Sequence, residues 1–403
     1  SLVSLAVVLS PVLGIDLDVT NPTSIKSTAS TIANGMVSYY NGNETGEIIG
    51  LLPEPYFWSE TSLMFDTLIR YWKATGDSQY NDIVSQGMQA QTGNDNDFMP
   101  ANQTKNMGND DQSVWAIAAM TATESIFPDV KGKATWLRLA DNVFNDQVAR
   151  WDDSTCQGGL RWQIFPFNAG YNYKNHANAQ FFHLASRLAR YTGNSTYIDW
   201  ASKSFDWAKS VGLVDAKWNV FDGASTKTNC SLINKIQNSH LSSTYVSGAA
   251  HMYNITEGGA KWKSTLDGLL NSTLITFFPG GIAKEISCEK VSGVKCKTSV
   301  HAYKGILAQN LVDTIRVAPY TSSLIFPKFQ STAAAAAKAC DGGVCTLNWS
   351  SLRPKITNHT NVGNELSALS FVQGLLAKEV ASPATASTGG PAGNSSSTNA
   401  TSS

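Results

Sequence analysis

Between residues 20 and 380, apolar side chains recur at three- and four-residue intervals, in runs broken by Gly, Pro and Asn. That spacing lines one face of a 3.6-residue helix. It predicts twelve helices, near 23–40, 59–75, 78–92, 110–126, 133–150, 175–191, 196–211, 242–256, 258–276, 299–317, 321–339 and 362–380. Most connections are short. The two longest stretches without helical spacing run from Val211 to Ile233 and from Phe277 to Cys296, and both carry cysteine.

One helical hairpin is written twice. Leu68-x-x-Tyr71 leads to Thr75-Gly76-Asp77-Ser78, and Leu188-x-x-Tyr191 leads to Thr192-Gly193-Asn194-Ser195. In each copy Gly suits the left-handed residue that ends a helix, and Asp or Asn before Ser suits the cap of the next. Repeated helix pairs imply a repeat architecture. Twelve helices in six hairpins can close into a ring with an inner and an outer layer, so the expected fold is all-α, an (α/α)6 barrel over residues 20–380.

Composition narrows the setting. Only 15% of the 403 residues are Asp, Glu, Lys or Arg, the formal net charge is −1, and there are eleven Trp. That charge gives no electrostatic footprint for nucleic acid or an anionic membrane. Residues 1–14 contain an apolar run, Leu2 to Leu13, too short to span a bilayer and read as a signal-peptide remnant with cleavage near Gly14. Asn-x-Ser/Thr acceptors for N-glycans stand at Asn43, Asn102, Asn194, Asn229, Asn254, Asn271, Asn348 and Asn358, with two more at Asn394 and Asn399. Six cysteines allow fifteen pairings. Proximity in sequence favours Cys288–Cys296 and Cys340–Cys345, which leaves Cys156–Cys230. No cysteine or histidine spacing matches a metal site, so no metal and no cofactor are expected. The segment 381–403 is rich in Ser, Thr, Gly and Pro and is expected to be a disordered tail preceding a GPI-anchor site. A secreted monomer at the outer face of the plasma membrane and in the cell wall, touching membrane only through a lipid anchor, fits these features.

The candidate chemistry lies in Gly108-Asn109-Asp110-Asp111-Gln112, followed by the apolar helix from Ser113. Asn109 reads as its N-cap and Gln112 as the residue returning the bond. The plain explanation for two acids here is that they offset the positive end of the helix dipole. Aromatic and amide-rich loops elsewhere point further: Tyr56-Phe57-Trp58-Ser59-Glu60, then Gly158 to Gln163 continuing to Asn178, then Trp218 to Asp222. Aromatic faces stack on sugar rings while Asn, Gln and Asp bind hydroxyl groups. Glycosidases use paired carboxyls, about 5–5.5 Å apart when retaining and about 6.5–9.5 Å apart when inverting. Adjacent Cα atoms are about 3.8 Å apart, which favours the closer class and a covalent intermediate. Such an intermediate is resolved by water or by a sugar hydroxyl.

With these residues in view, the chain resembles fungal members of glycoside hydrolase family 76, of the GPI-anchored cell-wall type called defective in filamentous growth or defective cell wall. The likeness runs from about Asn21 to Glu379. It rests on YFWSET at Tyr56, PANQT at Pro100, GNDDQ at Gly108, CQGGLRWQI at Cys156, YNYKNHANAQFF at Tyr171, FDGAS at Phe221, SGAAHMYN at Ser247, FFPGGIAKEISCE at Phe277, AYKGIL at Ala302 and STAAAAAK at Ser331. The resemblance implies an (α/α)6 barrel and a retaining, endo-α-1,6-mannanase-like action on α-mannose, with Asp110 as nucleophile and Asp111 as general acid/base. It makes Trp58, Asn109, Trp162, Asn175, Asn178, Asp222, Lys304 and Gln309 candidate sugar contacts. The implied substrate is the mannose core of GPI glycans, with β-glucan of the wall as acceptor. Two departures stand out: His240-Leu241-Ser242-Ser243 replaces an aromatic-Asn-x-Gly turn of many relatives, and Gln309 stands where many carry Arg. Losing a bidentate cation there changes a subsite. The alternatives are a plain hydrolytic mannanase, a non-catalytic mannan- or GPI-glycan-binding wall protein, and a different (α/α)6 enzyme; a lyase is disfavoured because no basic cleft loop is present.

Overall fold

The computed structural model describes residues 14–289, 295–350 and 360–389. The signal-peptide remnant up to residue 13, and the glycan acceptors Asn358, Asn394 and Asn399, lie outside them. The helices are α1 (Pro22–Val37), α2 (Trp58–Thr75), α3 (Asn81–Ala90), α4 (Asn109–Ser125), α5 (Trp136–Ala149), α6 (Ala177–Thr192), α7 (Ser195–Ser210), α8 (Ser239–Ile255), α9 (Ala260–Phe277), α10 (Tyr303–Val317), α11 (Ser322–Lys338), α12 (Val362–Gly374) and a single turn, α13 (Ala386–Gly389).

The even-numbered helices α2 to α12 each pack on the next, and α12 packs back on α2, forming the inner ring. The odd-numbered helices α1 to α11 lie outside it, so the fold is an (α/α)6 barrel of six hairpins. Burial patterns explain the layering. In α5 the buried residues Trp136, Leu139, Ala140, Val143, Phe144 and Gln147 form one stripe, whereas every residue of α12 is buried. A one-sided stripe suits an outer helix, and all-round burial an inner one.

Gly76 and Gly193 end α2 and α6 in the left-handed conformation, at φ 82° and 72°. Asn194 then caps α7 through the Thr196 N–H. In the other copy Asp77 binds the Gln79 N–H, and α3 starts only at Asn81, so that aspartate is a turn residue and not the cap. Disulfides join Cys156 to Cys230, Cys288 to Cys296 and Cys340 to Cys345. Strands are few: β1 (Tyr173–Lys174), β2 (Gly223–Ser225) and β3 (Ile233–Asn234) make an antiparallel sheet, and β4 (Cys340–Asp341) pairs with β5 (Val344–Cys345).

All six inner helices begin at one pole. Around that rim His176 meets Asp110 at 2.6 Å, the His176 and His240 rings lie 5.5 Å apart and the His240 and Tyr303 rings 3.8 Å apart. His301 bonds Asn364, and the Val362 N–H reaches the Tyr56 hydroxyl. Buried ion pairs bind the ring lower down: Arg70 spans Asp66 and Asp313, and Arg187 grips Glu124.

At the opposite pole the tail departs from the expectation of disorder from residue 381. Pro383 and Ala384 are buried. Arg316 donates to the Ala381 carbonyl, Arg190 to those of Pro383 and Ala384, and the Ala384 N–H to the Glu124 carbonyl. Carbonyls satisfied by arginines hold this polar segment where its composition gave no apolar reason to pack.

Candidate active site

α4 starts one residue earlier than its sequence suggests. Gly108 is the N-cap, and its N–H donates to Asp111 Oδ2 at 2.9 Å, so Asp111 makes the return bond expected of Gln112. Asn109, expected as the cap, is the first helical residue; its amide donates to the Arg161 carbonyl and accepts from Arg150. Gln112 instead joins the Asp97 carbonyl and Arg150. Gly108 is required by space: a Cβ there would sit 2.1 Å from Asp110 Oδ1.

Asp110 is buried. Its Oδ2 accepts from Trp162 Nε1 at 3.1 Å and from His176 Nε2 at 2.6 Å, whereas its Oδ1 is buried without a protein partner. Trp162 is pinned in turn, because Gly170 rests on its ring and a Cβ there would approach Cε3 to 2.3 Å.

Asp111 behaves differently. Burial foremost, then the neighbouring Asp110 charge, push its pKa up to about 7, against the Gly108 N–H, the Ser59 hydroxyl and His176. One carboxyl is thus braced by two N–H donors while its neighbour is biased towards the protonated form, a division of labour suited to acid–base chemistry. For His176, burial disfavours the charged ring, but Asp110, Asp222 and Asp111 outweigh it and raise the pKa.

A groove of about 500 Å³ opens onto Asp111, lined by the 47–58 segment, including Phe57 and Trp58, and by Gln103 and Asn106. Trp58 stacks on buried Trp115 at 5.1 Å and anchors its Nε1 on Gln91. Phe57 is 61% exposed, a free aromatic face beside the groove. Asp222 accepts from Tyr173 Oη and Asn234.

Other candidate contacts face inward. Asn178 clamps the backbone of Leu160, and Asn175 bonds His176 Nδ1 and the Ala177 N–H. Lys304 is fully buried, pairs with Glu289 at 3.0 Å, donates to the Leu347 carbonyl and lies over Trp349. Gln309 spends its amide N–H groups on Thr67 and Ser370 inside the ring. Neither Lys304 nor Gln309 presents a free donor to the groove, because Lys304 ties α10 to two loops and Gln309 ties it to α2 and α12.

His176 was not singled out in the sequence although it stands in YNYKNHANAQ, immediately before α6. Its signal was positional: it precedes an inner helix as Gly108 precedes α4.

A ring of helix hairpins carrying an asymmetric carboxyl pair beside an aromatic groove defines a glycosidase of the (α/α)6 class. The family model for glycosyl hydrolase family 76 matches residues 24–387, and the chain belongs to that family. Mannan endo-1,6-alpha-mannosidase DFG5 of Saccharomyces cerevisiae is 39% identical over 385 residues, 93% of this chain and 83% of that protein. Mannan endo-1,6-alpha-mannosidase DCW1 of the same yeast is 38% identical over 384 residues, covering 93% and 84%. The crystal structure of Dfg5 from Chaetomium thermophilum in complex with glucosamine superposes with a TM-score of 0.88 at 41% identity, over 92% of this chain and 95% of that one. The α-1,6-mannanase GH76A of Salegentibacter, as an inactive variant with α-1,6-mannotriose, shares the fold at a TM-score of 0.70 and 16% identity, covering 87% and 99%.

Proposed function

We propose that this chain is a retaining, endo-α-1,6-mannanase-like glycosidase and transglycosidase. It acts on the mannose core of GPI glycans and passes the glycan with its attached glycoprotein to cell-wall β-glucan. The observation that carries this reading is the asymmetry of the pair: Asp110 braced by Trp162 and His176, Asp111 biased towards its acid form at the groove. Asp110 attacks the anomeric carbon, and the glycosidic oxygen leaves with the proton of Asp111. The Asp111 carboxylate then takes a proton from water or from an acceptor hydroxyl, whose oxygen displaces Asp110. Because the open groove meets Asp111, it is the side on which leaving group and acceptor lie, with exposed Phe57 as a stacking face, whereas Trp58 is buried. The names of the yeast relatives support mannan as the substrate class, and the Chaetomium complex with glucosamine supports an amino sugar of the GPI core next to mannose. Secretion with lipid anchoring at the cell surface belongs to the same reading.

Product analysis with an α-1,6-mannan oligosaccharide and a GPI-core glycan, with and without a β-glucan oligosaccharide, tests it. Transfer products with retained anomeric configuration are expected, and Asp110→Asn should abolish them while leaving the circular dichroism spectrum unchanged. Free sugar alone selects plain hydrolysis. Binding without any product selects the non-catalytic wall protein and overturns the proposal.

A further inference from the structure

His176 lies 2.6 Å from Asp110, and its other nitrogen fixes where its proton is. Nδ1 faces the Asn175 Nδ2 amine at 2.9 Å, and the Asn175 oxygen is already taken by the Ala177 N–H at 3.2 Å. The amide therefore donates to Nδ1, and the ring proton sits on Nε2, aimed at Asp110 Oδ2. A doubly protonated ring would keep the same Nε2–H, so this donor survives in either charge state. The groups facing the ring are Asp110 at Nε2, Asp222 and Asp111 through space, and the His240 ring edge-on at 5.5 Å.

We propose that His176 is a positioning residue that, with Trp162, braces Asp110 Oδ2 and speeds release of the sugar from Asp110. This rests on the retaining reading above. In the first step a carboxylate lone pair of Asp110 forms the bond to the anomeric carbon, and the glycosidic bond breaks with its electron pair on the departing oxygen, which takes the Asp111 proton. Asp110 is then a neutral ester whose Oδ2 is a weak acceptor, so the two N–H donors lose strength. In the second step the ester bond from Asp110 to the anomeric carbon breaks and negative charge returns to the carboxylate. Both donors strengthen again as that charge develops, and hydrogen bonds to charged acceptors are about twice as strong as neutral ones. The donors therefore favour breakdown of the ester over its formation.

The test uses an aryl α-1,6-mannobioside with a good leaving group, stopped-flow release of the phenol and intact-protein mass, on wild type, His176→Phe and His176→Gln. His176→Phe removes the donor; His176→Gln replaces it with an amide N–H. The expected result is a burst of one phenol per enzyme in His176→Phe, then turnover about 10–100-fold slower than wild type, with the sugar adduct accumulating on Asp110. His176→Gln should recover most of the second-step rate. If burst and turnover fall together in His176→Phe without added adduct, or if neither changes, the positioning role is overturned while the retaining reading stands. If wild type gives inverted product and no adduct, the retaining reading falls and this inference with it.

Discussion

Replacing Asp111 by Asn removes a carboxyl that the fold holds against its tendency to ionise, and should stabilise the protein at neutral pH. Burial and the Asp110 charge lift its pKa from 3.8 to about 7. Between those values the folded wild type retains a proton that the unfolded chain releases, so its stability falls as pH rises through that window. Asp111 costs nothing below about pH 4 and reaches its full cost above about pH 7. One pKa unit corresponds to about 1.4 kcal/mol, which puts the ceiling near 4 kcal/mol. Solvent in the groove screens part of this, and we expect a gain of about 2 kcal/mol for the variant at pH 8 and none at pH 4. Asn retains an oxygen for the Gly108 N–H, so the start of α4 survives. The assay is thermal unfolding of both proteins by circular dichroism at pH 4, 6 and 8, with a gain of a few degrees in Tm expected only at the higher values. A gain independent of pH, or a less stable variant at pH 8, refutes the reasoning. The same variant should lose most activity on substrates with poor leaving groups; equal losses on activated and natural substrates count against an acid/base role.

Three further outcomes follow from the packing. Lys304→Ala strands Glu289 in the interior and should cost about 3–5 kcal/mol, read as a lower Tm, whereas a sugar-binding lysine would raise KM at unchanged stability. Gly170→Ala drives a methyl into Trp162 at a backbone φ of +95°; tilting the indole away from Asp110 should lower kcat about tenfold, with KM nearly unchanged. Glycopeptide mapping should find sugar on the exposed Asn43, Asn102 and Asn271. Asn254 should be bare, because Arg190 holds its oxygen and its amide donates to the Val317 carbonyl.

The helices were legible because their ends are written locally: Gly76 and Gly193 stop one helix by adopting a conformation that side chains disfavour, and Asn194 starts the next. An end that depends on a distant partner is not written locally. The helix expected from 242 begins at Ser239, whose N–H and hydroxyl are both held by Glu285, far away in the chain. The site divides in the same manner. Asp110 and Trp162 were singled out from separate segments, and the fold brings them into one hydrogen bond. Lys304 and Gln309 carry groups suited to binding sugar, but Glu289, Thr67 and Ser370 consume them, and no local pattern announces such partners. Composition likewise marked the tail from Ala381 as unstructured, since it cannot register Arg190 on α6 and Arg316 on α10 waiting to receive carbonyl groups.

The seating of residues 381–384 on the pole opposite the carboxylates gives the molecule a front and a back. Inner helices of 13–18 residues span roughly 20–27 Å at about 1.5 Å per residue, which is the depth from the rim that carries Asp110 to the arginines that receive the tail. The described chain therefore ends, at Gly389, behind the barrel, while the cleft looks the other way.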